Sequence, residues 1–292
     1  MLSRLALIAF LCAASLVAQD APFTLKVDVA MVSLDVAVFN KAGIPVTNLQ
    51  QKDFQIFENG RPQEIRTFAS SDTPYNMLLV VDRSGSMRTQ FPLLIEAVNR
   101  FIGNMRTQDS FSLAAFDDSV HRLIEWRSVR VGTPKTVNLG SGGNTDFYKA
   151  LEWASDQLKK IRGRKAVLVF SDGEDYRLYD PLVNAKAFRK VEQTIRGTKA
   201  PFHFVGLGAD PKSSGAQIER LAEISGGHAY FPSSIEKVVP LYDEISRELG
   251  ISYTLAYLSD RPQRDGTQRH IEVVVADKGL RVSQSRSGYS AN

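Results

Sequence analysis

Two hydrophobic rhythms divide the chain. From Phe23 to about Phe68 apolar residues alternate with polar or small ones: Leu25, Val27 and Val29 first, then Val32, Leu34, Val36 and Val38. A period of two puts one set of side chains on one face, so these segments predict half-buried strands. Asp53 to Glu58 is followed by Asn59-Gly60 and then by Arg61 to Phe68. Asn-Gly accepts positive φ at both central positions of a type I′ turn, which predicts a hairpin. Past the polar break Ser70-Ser71-Asp72-Thr73-Pro74 the rhythm changes. Met77 to Val81 is apolar at every position, the mark of a parallel strand covered on both faces. A helical stripe follows at Leu94, Val98, Phe101 and Ile102, then a strand at Phe111 to Phe116. Phe147, Ala150, Leu151, Ala154 and Leu158 form the next stripe, ahead of the strand Ala166 to Phe170. The alternation continues with a helix around Leu182 to Ile195, a strand at Phe202 to Val205 and a helix near Ile218 to Ile224. A short strand at Ala229 to Phe231 and a helix carrying Val238, Leu241, Tyr242, Ile245 and Leu249 complete it.

Strand and helix in strict alternation predict an α/β fold: a doubly wound, mostly parallel sheet with helices on both faces. After Gly250 the chain returns to strands, at Tyr253 to Tyr257, His270 to Val275 and near Leu280 to Val282. So few strands bury too little to stand alone. They are expected to complete a β-sandwich begun by residues 23 to 68, with the α/β unit inserted between the halves; two separate β-extensions on the α/β core are the alternative. The expected division is residues 1–19 as an export signal, 20–72 as an N-terminal β-region, 73–249 as the α/β domain and 250–292 as C-terminal strands.

Composition narrows the function classes. The chain of 292 residues is 43% hydrophobic, enough for a sizeable core. Its net charge of +4 comes from 36 basic and 32 acidic residues spread along the whole length, which argues for a solvated surface and against a nucleic-acid face. Arg4 leads into the apolar run Leu5 to Val17, which stops at Ala18-Gln19-Asp20. That layout predicts a signal peptide and a secreted, periplasmic or envelope location, with an uncleaved anchor as the alternative. The run is shorter than the ~20 residues of a spanning helix. Cys12 is the only cysteine and lies inside this segment, so the mature chain is expected to have neither disulfide nor thiolate.

Ligands of open α/β sheets bind beyond the carboxyl ends of the strands. The first parallel strand ends in Asp82-Arg83-Ser84-Gly85-Ser86, and the strand 166–170 runs into Ser171-Asp172-Gly173-Glu174-Asp175. Between them, Gly140 to Asp146 approaches the start of a helix through Thr145. Two carboxylates and three hydroxyls at one edge, without histidine or cysteine, suit a hard cation such as Mg²⁺, Mn²⁺ or Ca²⁺ rather than zinc or copper. Few negative ligands leave the ion electrophilic toward one more anion.

These residues resemble the metal-ion-dependent adhesion site of von Willebrand factor A domains, whose motif is D-x-S-x-S, a threonine on a second loop and an aspartate on a third. Asp82, Ser84, Ser86, Thr145 and Asp172 match it in that order. The resemblance covers about Asn76 to Leu249. It implies that Ser84, Ser86 and Thr145 touch the metal directly, and that Asp82 and Asp172 do so directly or through water. It implies a non-enzymatic adhesion module in which a partner's Asp or Glu completes the coordination of the ion, Mg²⁺ above all. The flanking strands, with Asp53 to Gly60, also resemble those of secreted bacterial proteins with such a core.

Other readings stay open at this stage. Asp and Ser commonly make turns and caps, and Thr145 has the N-cap of its helix as a purely local role. Asp117, Asp118, Glu174, Asp175 and Tyr176 lie on loops near the same edge and are expected to be solvated surface, with partner selection as their functional alternative. A module whose metal only fixes the loops would carry the same residues. A Mg²⁺-dependent phosphoryl-transfer enzyme is less compatible: there is no G-x-x-x-x-G-K-[ST] loop, and Ser86-Met87-Arg88 does not fit a G-x-S-x-G nucleophile. His121, His203, His228 and His270 have no metal-ligand spacing, and His121 and His228 are expected to be structural.

Overall fold

A computed structural model describes residues 31–132, 142–176, 180–210, 212–233, 237–261, 263 and 265–291. The expected signal segment, the first strand around Leu25 to Val29, and Gly140-Ser141 lie outside these residues. The chain opens with strands β1 (Met31–Phe39), β2 (Phe54–Glu58), β3 (Arg61–Gln63) and β4 (Ile65–Ala69). The alternating part comprises β5 (Tyr75–Asp82), α1 (Phe91–Asn104), β6 (Ser110–Phe116), β7 (Val120–Ser128), α2 (Phe147–Lys159), β8 (Arg164–Ser171), α3 (Pro181–Thr198), β9 (Phe202–Gly206), α4 (Ser214–Ser225), β10 (Ala229–Tyr230) and α5 (Val238–Ile251). Strands β11 (Tyr253–Leu258), β12 (Gln268–Val275), β13 (Arg281–Gln284) and β14 (Gly288–Ser290) follow.

The central sheet has the order β10-β9-β8-β5-β6-β7. All neighbours are parallel except the edge pair β6 and β7, which is antiparallel. The unbroken apolar run in β5 follows from this burial on two sides. Met77, Leu79 and Val81 pack with α1 and α5, whereas Leu78 and Val80 pack with α2, α3 and α4. Each such side chain contributes about 1.5–3 kcal/mol by leaving water, so the middle of the sheet is its most firmly held part. Strand order reverses direction at β5, with β6 on one side and β8 on the other. The carboxyl ends of β5 and β8 therefore form the crevice where doubly wound sheets place their ligands.

Two further antiparallel sheets, β13-β1-β11-β4 and β14-β12-β2-β3, each combine strands from both ends of the chain. Val32, Leu34, Val36, Phe54, Ile56, Tyr253, Leu255, Ile271 and Val273 meet in one core between them. The Asn59-Gly60 hairpin forms with φ of 49° and 77°, pairing Glu58 with Arg61. Its second arm differs from the expected run to Phe68. The strand ends at Gln63, and β4 crosses to the other sheet to pair with β11. Pro62 has no N–H to offer a further neighbour, which suits β3 to the sheet edge it occupies. The last strand, β14, has only three residues and was not expected.

A buried polar node joins the sandwich to the base of the parallel sheet. Asp35 on β1 accepts hydrogen bonds from Thr254 Oγ1 at 2.6 Å and from the Tyr75 hydroxyl at 3.3 Å. Arg164, at the start of β8, donates to Thr254 Oγ1 at 2.9 Å and to the Leu249 carbonyl at 3.1 Å, and its guanidinium lies 4.3 Å from the centre of the Tyr75 ring.

His203 on β9 is 1% exposed, and its Nδ1 accepts the backbone N–H of His228 at 3.3 Å. Burial, aided by His228, lowers its pKa from 6.5 to about 3. The unfolded chain therefore binds a proton below 6.5 that the folded protein refuses down to about 3. Stability is complete above 6.5 and falls as pH drops through that window, by up to about 1.4 kcal/mol per pH unit from this residue. Urea denaturation between pH 7 and pH 4 should show a shallower acid loss for His203→Gln than for wild type; equal slopes would contradict this assignment.

Candidate metal centre

The residues named from the motif sit on three loops at the crevice. Asp82 is the last residue of β5 and is fully buried. Its Oδ1 accepts the backbone N–H of Ser84 at 2.8 Å, which folds the D-x-S-x-S segment back over the strand end. Its Oδ2 accepts the Ser171 hydroxyl at 2.6 Å. Ser84 and Ser86 hydroxyls lie 3.1 Å apart, and Ser86 Oγ donates to Asp172 Oδ2 at 2.8 Å. Asp172 Oδ1 accepts the Glu174 N–H at 3.0 Å, fixing the carboxylate's direction. The side chains of Ser84, Ser86 and Asp172 are thus linked by hydrogen bonds at the junction of β5 and β8, Asp82 joins them through the Ser84 backbone, and Ser86 is exposed toward solvent.

Thr145 reaches the site on the loop between these two in chain order. Gly85 N–H donates to the Gly143 carbonyl at 3.3 Å, and Tyr176 N–H to the Thr145 carbonyl at 3.1 Å, so backbone bonds tie this loop to both others. Gly142 allows the approach: a Cβ there would stand 2.0 Å from the Arg83 carbonyl oxygen. The N-cap of α2 is Asp146, whose side chain accepts from Lys149 N–H at 3.2 Å. Thr145 therefore does not serve as the cap. Its hydroxyl makes no hydrogen bond with the described residues, and Thr145 lines the same groove as Ser86.

The electrostatics set this cluster apart. Burial raises the Asp82 carboxyl to about 7, against the pull of the Ser171 and Ser84 hydrogen bonds and with a further rise from Asp172. Among the described residues no cationic side chain pairs with Asp82 or Asp172. The nearby arginine, Arg83, is committed elsewhere: it meets Asp117 at 2.6 Å and His121 Nε2 at 2.9 Å. A buried carboxylate without a counter-charge is costly. Two acids with hydroxyl oxygens between them are a donor set that fits a hard divalent cation. Among the described residues no three His, Cys, Asp or Glu converge, so a softer, histidine- or thiolate-based site has no candidate there.

Residues 77–174 match the family model of the von Willebrand factor type A domain, a span that holds all five motif residues. The chain contains a von Willebrand factor type A domain. Solved structures of similar shape include a von Willebrand factor type A protein from Catenulispora acidiphila, 12% identical, covering 90% of this chain and 74% of that one with a TM-score of 0.51. A mutant of the PilB minor pilin from Streptococcus sanguinis is 11% identical, covering 76% of this chain and 79% of that one with a TM-score of 0.54. At such identities the likeness is one of fold. No curated protein matches the sequence.

Two expectations about the loops around this domain's crevice need correction. Asp117 and Asp175 are not solvated surface, being 4% and 1% exposed. Asp117 is held at about 2: burial opposes its charge, but the Ser119 N–H and Arg83 outweigh it. Asp175 accepts the Tyr148 N–H at 3.0 Å and so anchors the first turn of α2. Glu174 and Tyr176 are exposed as expected. Ser171 is the hydrogen-bond partner of Asp82 that motif reading passed over; its position at the strand end just before Asp172 was the available signal.

Replacing Asp82 by Asn removes the buried charge and keeps an oxygen for the Ser84 N–H. In EDTA at pH 8, Asp82→Asn should melt at or above the wild-type temperature in calorimetry. A drop of several degrees would show that the carboxylate itself stabilises the fold without any ion.

Proposed function

We propose that the von Willebrand factor type A domain binds a divalent cation, Mg²⁺ first and Mn²⁺ or Ca²⁺ as alternatives, through Asp82, Ser84, Ser86, Thr145 and Asp172, and that the ion grips an Asp or Glu carboxylate of a partner protein. The ion would neutralise the two carboxylates, while the three hydroxyls fill positions without adding charge. Exposed Ser86 and the open groove beside it leave room on the solvent side for a ligand from outside. The observation that carries this reading is the fully buried Asp82, without a cationic partner among the described residues, at the crevice of the sheet.

The alternative of an ion that merely staples loops is less favoured, because protein hydrogen bonds already join them: Gly85 to Gly143, Tyr176 to Thr145 and Asp146 N–H to the Asp117 carbonyl at 2.7 Å. An enzymatic role is less favoured, because the histidine nearest the site is committed to other partners. His121 is engaged by Arg83, Ser119 and Asp117 at 2.9, 2.8 and 3.3 Å. The proposed setting is outside the cytoplasm, in keeping with the apolar Leu5 to Val17 segment. Among the described residues no helix is long and apolar enough to cross a membrane.

Saturating Mg²⁺, at about a hundred times its Kd, should stabilise the wild type by roughly 2.7 kcal/mol and leave folded Asp172→Ala unchanged. Binding and stapling then separate on retention. Immobilised wild type should hold a protein from envelope extracts in Mg²⁺, release it in EDTA and lose it in Ser86→Ala. Thermal stabilisation by Mg²⁺ without any EDTA-released protein would favour the stapling role.

A further inference from the structure

The groove that begins at Ser86 and Thr145 continues between the first halves of α3 and α4, with a volume of ≈ 920 Å³. That is the scale of clefts that take a drug-sized ligand. Its walls carry features that the metal centre does not use. On the α3 side Tyr176, Pro181 and Phe188 line it. Tyr176 is 52% exposed, and Leu182 and Val183, at the start of α3, are 84% and 47% exposed. Single exposed apolar residues are ordinary, but several together beside a polar site mark a contact surface.

The α4 wall has the opposite chemistry. Lys212 is exposed and forms no ion pair with the described residues. Arg220 on the same wall is satisfied by Glu192 at 3.0 Å and Glu223 at 3.4 Å, so among the described lining residues Lys212 is the cation left to act on a ligand. The floor is polar: the Tyr148 hydroxyl meets Asn184 Oδ1 at 2.5 Å and Gln217 Oε1 at 2.6 Å, and one hydroxyl proton cannot serve both. At least one of these amides is therefore turned to donate, and the remaining amide atoms can serve an extended backbone.

We propose that this groove receives an extended segment of the partner protein in which the metal-bound carboxylate is accompanied by a large apolar side chain, packed on Tyr176, Pro181 and Phe188, and by a second acidic residue facing Lys212. The inference rests on the metal reading above and names the partner's chemistry. Exposed Glu174 beside the metal loops repels a second acid placed there, which directs it to the α4 wall.

Fluorescein-labelled decapeptides in a Gly-Ser background test it by anisotropy in Mg²⁺ and in EDTA. One series carries Asp alone, the next Asp with Leu one to four residues away, and the last adds a further Asp. Calorimetric Mg²⁺ titration runs on the same protein. The best Leu-bearing peptide should bind about tenfold more tightly than Asp alone, as burial of one such side chain implies. Tyr176→Ser should remove that preference, and Lys212→Glu should remove the gain from the second Asp, both with Mg²⁺ binding intact. Mg²⁺ binding accompanied by equal affinities, or by no peptide binding, overturns the groove assignment and leaves the metal reading in place. No Mg²⁺ binding by the folded protein overturns both.

Discussion

A carboxylate buried at the middle of a parallel sheet is the constraint around which this domain is arranged. Asp82 ends the central strand β5, where neighbours on both sides exclude water. Its oxygens are held by one backbone N–H and one serine hydroxyl, and by no cation among the described residues. Such a group is tolerated because the surrounding apolar layers are extensive and hold the strand whatever its last residue is. The energetic burden sits where the sheet's topology places ligands, which supports the proposal of a hard cation there.

The loops around Asp82 are built to keep this arrangement in register. Gly142 passes close under the Arg83 carbonyl, Asp175 anchors α2, and Asp117 draws Arg83 away from the two carboxylates. That last pairing matters: an arginine placed over Asp82 and Asp172 would neutralise them and compete with any metal. Beneath the sheet, the node of Asp35, Arg164, Tyr75 and Thr254 ties the opposite end to strands drawn from both halves of the chain. The two β-regions thereby share one core with each other and a polar anchor with the domain between them.

Much of this was legible in the chain because local periodicity and burial agree. The apolar run Met77 to Val81, the helix stripes, the Asn59-Gly60 turn and the alternation of strands with helices all follow from patterns a few residues long. The crossing of β4 into the other sheet was not legible, since Arg61 to Phe68 reads as one strand and its partners, β2 and β11, lie far apart in sequence. Three-residue β14 is too short to show a period. At the site, the five motif residues could be named but their surroundings could not: Asp117 and Asp175 look like ordinary loop acids until Arg83 and the first turn of α2 are seen against them.

The central claim is that the charge of Asp82 and Asp172 is balanced by one divalent ion. Electron paramagnetic resonance of Mn²⁺ titrated into EDTA-treated, desalted protein tests it directly, because hydrated and protein-bound Mn²⁺ give distinguishable signals. The account predicts loss of the free-ion signal up to one equivalent in the wild type and none in folded Asp82→Asn. A free-ion signal that grows from the first addition to folded wild type would contradict it.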